Sequence, residues 1–182
     1  AIPALRKAVA LDDDNVVAPA GRLLLAELYE RAGRDEDAAD MLRDAIGSHP
    51  NDAALVGRLG MLYARLNRPN EALPALARAA ELNSDNPAVY LTLGRLCLSS
   101  GHDAEAREAL SRATRLSPEN AEAFRLLGNA HDKVGAGDDA LAAYERAAAL
   151  DPSDAATRAS VGALLAGRGR DEDAVPLLHE AV

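Results

Sequence analysis

Four histidines, one cysteine and several runs of aspartate and glutamate are the residues of this chain best equipped to bind a metal or move a proton. His49, His102, His131 and His179 are far apart, and none has the four-residue spacing that puts two imidazoles on one helix face for zinc. Cys97 is the only cysteine, so no disulfide can form within the chain. The acidic runs are Asp12-Asp13-Asp14, Asp35-Glu36-Asp37, Asp138-Asp139 and Asp171-Glu172-Asp173. A calcium loop alternates its ligands around a glycine turn, and these runs do not. Carboxylates at helix N-termini complement the helix dipole and need no metal. No nucleophile elbow, P-loop or dinucleotide fingerprint is present. Gly135-Ala136-Gly137 follows a helical pattern rather than a strand, so it reads as a turn and not a phosphate loop. The expectation is that this segment is not an enzyme, holds no metal and uses no cofactor.

Composition points the same way. Of 182 residues, 48% are apolar but only 3% aromatic, an Ala/Leu-rich helical make-up with few bulky anchors. The net charge of −9 lacks the basic footprint of a nucleic-acid binder or of a polybasic membrane patch. No apolar run is long enough to insert into a membrane as a helix. The basic residues are nearly all arginine, Lys7 and Lys133 being the only lysines. Arg-rich, Ala-rich usage fits a GC-rich genome. The chain starts without methionine and in mid-pattern, which leads us to expect further sequence upstream. The cytoplasm is favoured, with the periplasm as the alternative.

The elements that would position any functional group recur at a period of 34 residues. Numbering places from Ala121, the unit Ala121 to Asp154 has Phe124 at place 4, Leu127 at 7, Gly128 at 8, His131 at 11, Ala140 at 20, Tyr144 at 24, Ala147 at 27 and Pro152 at 32. The chain divides into a half repeat at 1–18, repeats at 19–52, 53–86, 87–120 and 121–154, and a truncated repeat at 155–182. In the half repeat, Leu5, Ala8 and Leu11 match Tyr144, Ala147 and Leu150, and Val16-Val17-Ala18 is an insertion. Place 8 is Ala26, Gly60, Gly94, Gly128 and Gly162. Glycine inside a helix costs about 1 kcal/mol relative to alanine, so its recurrence predicts that paired helices approach closely there. Place 34 is Asp52, Asn86, Asn120 and Asp154, all good N-caps for the following helix. Asp35, Asp103 and Asp171 are expected to cap the second helices or to sit on their dipoles. Asn67 stands at the turn where other repeats have glycine, and asparagine tolerates the left-handed conformation. Pro3, Pro74 and Pro176 share place 22, early in the second helix, where proline removes at most one bond.

The pattern F-x2-L-G-x2-H…A-x3-Y-x2-A…P from Phe124 to Pro152 resembles the tetratricopeptide repeat, as does Y-x2-L-G-x2-C…A-x3-L-x2-A…P from Tyr90 to Pro118. The family's aromatic at place 4 is met by Tyr90 and Phe124, whereas Arg22 and Arg158 depart from it. The resemblance implies an all-α fold, a right-handed superhelical solenoid of antiparallel helix pairs. First helices would line a concave groove that binds a peptide or protein segment.

In the family, places 2, 5, 9, 12 and 13 face that groove and place 6 lies near its edge. The resemblance therefore implies groove residues Arg58, Met61, Arg65, Leu91, Arg95, Leu98, Arg125, Asn129 and Lys133, opposed by Glu27, Glu30, Glu122 and Asp132. Arginine pairs carboxylates bidentately, so an acidic segment is the favoured partner. The competing reading is solvated arginines with local carboxylate neighbours. Arg125 and Asn129 are similar to part of a clamp for a C-terminal carboxylate, but Ser160 stands where that clamp needs asparagine. His131 and Cys97 both fall at place 11, filled elsewhere by Tyr29, Tyr63 and Leu165, and are read as packing residues.

The leading expectation is thus a non-catalytic interaction scaffold, a fragment of a longer bacterial-type array. The alternative is an accessory domain of a larger enzyme of glycosyltransferase, sulfotransferase or hydroxylase type, positioning substrate or driving dimerisation. Self-association through apolar array ends is a third reading.

Overall fold

The structure, a computed structural model, describes residues 2–10 and 18–181. Leu11, the Asp12-Asp13-Asp14 run and the insertion residues Val16 and Val17 lie outside the described residues, and so does the Ala8 side chain. The described chain is all-helical: α1 (Ile2–Ala10), α2 (Ala18–Arg31), α3 (Asp35–Ser48), α4 (Ala53–Arg65), α5 (Pro69–Glu81), α6 (Pro87–Ser99), α7 (Asp103–Leu116), α8 (Ala121–Lys133), α9 (Gly137–Leu150), α10 (Ala155–Gly167) and α11 (Asp171–Glu180). No helix among the described residues is long and apolar enough to cross a membrane. Two compact units divide the chain, Ala1–Val89 and Tyr90–Val182, and the division falls inside α6.

Within the first unit, α2 pairs with α3 and α4 with α5. Within the second, α8 pairs with α9 and α10 with α11. Place 8 is the contact that sets each pairing. A Cβ on Gly60 would lie 2.7 Å from Leu76 Cγ, one on Gly128 2.7 Å from the Tyr144 ring, and one on Gly162 2.7 Å from Leu178 Cγ. Each partner is the place-24 residue of the same repeat. The glycine's propensity cost is therefore offset by letting a large place-24 side chain lie against bare backbone. Ala38, Ala72, Ala106 and Ala140 at place 20 are fully buried, as are Leu42, Leu76 and Leu110 at place 24. Burying one such leucine stabilises by roughly 1.5–3 kcal/mol.

Helix starts follow the expected punctuation at place 34. Asp52 accepts from the Ala54 and Leu55 amides, Asn86 from Ala88, Asn120 from Ala123, and Asp154 from Ala156. The second helices differ. Asp35, Asp103 and Asp171 are the first helical residues, not caps, and the cap positions belong to Arg34, His102 and Arg170, which make no side-chain capping bond. The aspartates keep the dipole role and lose the capping one. Asn67 has φ 56°, as its place predicts. Asn83 also has φ 56°, which the sequence pattern did not signal. Next to it the buried Ser84 stands where other repeats carry proline, its Oγ accepting from the Asn86 amide at 3.3 Å. Pro74 and Pro176 lie inside α5 and α11, each the sixth residue of its helix.

Candidate functional site on the first-helix faces

In the first unit, Arg58, Met61 and Arg65 sit on α4, and α2 supplies Glu27 and Glu30. The half-buried Arg58 donates through Nε to Glu30 Oε1 at 2.7 Å. Arg65 grips Asp35 with two donors, its Nη2 reaching Oδ1 at 2.7 Å, and lies 4.0 Å from Glu30. Arg68 bridges to Glu36 at 3.0 Å. These bonds span 28 to 32 residues, so each ties one repeat to the next. The bidentate geometry is the strong form of an arginine–carboxylate pair. Glu27 turns instead to Arg31 on its own helix, at 2.6 Å.

In the second unit, Leu91, Arg95 and Leu98 are on α6, and Arg125, Asn129 and Lys133 on α8. The pairs here are looser. Arg95 stands 3.5 Å from Glu122 with both side chains about half exposed, and Arg125 stands 3.5 Å from Asp154. An exposed pair such as Arg95–Glu122 contributes about 0–1 kcal/mol, whereas Arg125 and Asp154 are both half-buried. Asp154 serves three masters, since it also accepts from the Ala156 amide at 3.0 Å and the Thr157 hydroxyl at 2.6 Å. Chiefly the Thr157 hydrogen bond, with the backbone amides and Arg125 behind it, holds the Asp154 carboxyl below its ordinary pKa. Lys133 is exposed and has no ion-pair partner among the described residues.

Asn129 and Asp132 border a shallow depression of ≈ 460 Å³ with Ser160, Ala163, Leu164, Gly167 and Arg168 of the α10 side, and Tyr144 at its floor. Burial raises the Tyr144 phenol pKa, while its hydrogen bond with the Ser160 side chain works the other way. The Ser160 hydroxyl also donates to the Ala156 carbonyl at 2.9 Å. Sequence reasoning named Asn129 for the groove, named Ser160 only as a departure from the carboxylate clamp, and did not name Arg168. Their shared signal is position on the following first helix and its C-terminal end, one period later.

The other chemistry-bearing residues are dispersed. Among the described residues no three His, Cys, Asp or Glu side chains converge as a metal site would need. Cys97 is buried, and burial lifts its thiol pKa, with Glu105 adding to the effect. His131 is mostly buried, with Nδ1 3.8 Å from Asp139 Oδ2.

Family models described as tetratricopeptide repeat match residues 19–61, 63–130 and 123–156. Among solved structures, the crystal structure of YrrB superposes with a TM-score of 0.87 at 22% identity, covering 100% of this chain and 92% of that one. A crystal structure of MamA gives a TM-score of 0.77 at 25% identity over 86% of this chain and 92% of that one. MamA from Desulfovibrio magneticus RS-1, residues 41 to its end, gives 0.77 at 19% identity over 90% and 92%. No curated protein sequence matches the chain.

Proposed function

Because the chain belongs to the tetratricopeptide repeat family, we propose that it is a scaffold that binds a peptide or protein segment along the first-helix face, with Leu91, Arg95, Leu98, Arg125, Asn129 and Lys133 of the second unit as the main contacts. The observation that carries this choice is the difference between the two sets of arginines. Arg58 and Arg65 are committed to short bonds that join repeats, at 2.7 Å to Glu30 and Asp35. Arg95 and Arg125 hold carboxylates only at 3.5 Å, and the exposed Arg95 can exchange its partner for a ligand's at small cost. Lys133 adds a cation, Asn129 a donor and acceptor, and Leu91 and Leu98 half-buried apolar surface. That combination favours an extended segment with spaced carboxylates and apolar side chains. In the first unit, Met61 belongs to the proposed first-helix face of that unit, and Arg58 and Arg65 act first as repeat-to-repeat contacts. YrrB, similar in fold, is described as a tetratricopeptide repeat protein with an unusual peptide-binding site, which supports a peptide as the partner class.

The test is capture of partners from the source cell with the wild-type chain and with Arg95, Arg125 and Lys133 all changed to Glu. We expect the acidic partner to be lost from the variant with helicity unchanged. A partner whose affinity survives the triple change would overturn the reading. A second reading, self-association, is favoured by Val175 and Leu178 of α11, apolar residues 56% and 37% exposed. Light scattering over a concentration series tests it, and a strictly monomeric chain rejects it.

A further inference from the structure

Four repeats each bring one large aromatic ring to place 4 or place 11 of the first helix, and each ring carries a guanidinium over it. Arg34 lies 4.6 Å from the Tyr29 ring centre, Arg68 5.0 Å from Tyr63, Arg112 6.0 Å from Tyr90 and Arg146 5.8 Å from Phe124. The repeat that begins at Ala155 keeps the arginine and lacks the ring: place 4 is Arg158, place 11 is Leu165 and place 16 is Arg170.

Arg170 is set as its counterparts are. Its Nε donates to Asp173 Oδ2 at 2.8 Å, as Arg34 Nε does to Asp37 Oδ2 at 2.8 Å and Arg68 Nε to Glu71 Oε1 at 2.9 Å. In the two earlier cases the guanidinium so fixed covers the place-11 tyrosine. Here Leu165 is shorter, and Arg170 lines a cavity of ≈ 320 Å³ between α9, α10 and α11. The walls are Leu141, Ala148, Val161, Leu165 and Leu177, with Glu145 and Arg158 as the other polar members. Arg158 is pinned to the turn, its Nη1 bonding the Pro152 carbonyl and its Nη2 reaching the Ser153 carbonyl at 3.4 Å. Its Nε is buried without a hydrogen-bond partner.

We propose that this cavity is a binding site for one aromatic ring, the side chain of a tyrosine in a segment of a partner protein. The ring would take the place that Tyr29 and Tyr63 fill in their own repeats, against the guanidinium of Arg170. The apolar walls and a fixed cation suit a ring, since its face attracts a guanidinium and its edge packs on leucine. Tyrosine rather than phenylalanine follows from the exposed Glu145 carboxylate at the wall, which offers a phenol an acceptor. This site uses none of the residues of the first-helix face and stands without the reading given above.

N-acetyl-tyrosinamide, a capped single residue, is the probe, with N-acetyl-leucinamide as its control, both titrated into the intact chain and followed by methyl NMR. Saturable shifts at Leu141, Val161, Leu165 and Leu177 are expected with the tyrosine probe and not with the leucine one. Leu165→Tyr supplies the missing ring from within, so it should abolish the probe's shifts and raise Tm. Arg170→Met should weaken the tyrosine probe about threefold. Arg170 is 54% exposed, so this variant keeps its fold. Equal binding of both probes, no binding of either, or undiminished binding to a folded Leu165→Tyr chain would each overturn the proposal.

Discussion

The Tyr144 ring lies so close to Gly128 that a Cβ on the glycine would sit 2.7 Å from both Cδ1 and Cε1. Gly128 is in α8 and Tyr144 in α9, so this contact fixes how near the two helices stand. Gly128→Ala gains about 1 kcal/mol of helix propensity and forces overpacking that costs about 1–3 kcal/mol. A net loss of stability is expected, read as a lower urea midpoint by circular dichroism. Gly47, in α3, has nothing within 4 Å of its would-be Cβ. Gly47→Ala should therefore stabilise, by a few tenths to about 1 kcal/mol. Opposite signs for the two substitutions are the signature; a stabilised Gly128→Ala chain would contradict the packing account.

The two sets of groove arginines should separate in double-mutant cycles. Arg65→Met with Asp35→Asn removes a bidentate pair whose carboxylate is mostly shielded, and a coupling of about 0.5–1 kcal/mol is expected. Arg95→Met with Glu122→Gln removes a 3.5 Å exposed pair, and at most about 0.2 kcal/mol should appear. Couplings of equal size would remove the ground for assigning ligand exchange to the second unit.

Asp154 makes stability fall on acidification. Its carboxyl is held below the ordinary value, so it is depressed in the folded chain relative to the unfolded one. The unfolded state then binds the proton first. The resulting stabilisation is complete above the unfolded carboxyl pKa of about 3.9 and disappears as pH falls through the folded value. Asp154→Ala should cost about 1 kcal/mol at pH 7 through the lost cap, and the difference from wild type should shrink toward the acid end of that window as the charge-dependent part is lost. A difference that stays constant with pH would show that the carboxylate charge is irrelevant to the cap.

Cys97 should react slowly with a disulfide reagent in the folded chain. The residue is 4% exposed and its thiol pKa is raised by burial, so both access and thiolate are scarce at pH 8. Labelling should accelerate by about a hundredfold or more in denaturant. Rapid labelling of the native chain would place the thiol at the surface.

Much of the fold was legible because its determinants are local and periodic. Glycine or alanine at place 8 implies a close helix neighbour, and the structure supplies it in Leu76, Tyr144 and Leu178. Asp52, Asn86, Asn120 and Asp154 mark helix starts because a short acceptor side chain reaches its own next amides. The left-handed Asn83 was not legible, because asparagine is also common in right-handed backbone and nothing adjacent forces the choice. The candidate face was legible as a set of positions but not as a field. Arg58 and Arg65 read as available cations until Glu30 and Asp35 of the preceding repeat were found against them.

The sequence alone determined a helical repeat of 34 residues, its first-helix caps and its turns, since each depends on residues within a few turns of one another. Tertiary structure decided which arginines are spent on stacking, at distances of 2.7 Å against 3.5 Å. It also decided that Leu165 and Arg170 line one cavity of ≈ 320 Å³ between α9, α10 and α11. Pair distances and residual space depend on how neighbouring repeats approach, and that is set by packing between side chains some 30 residues apart.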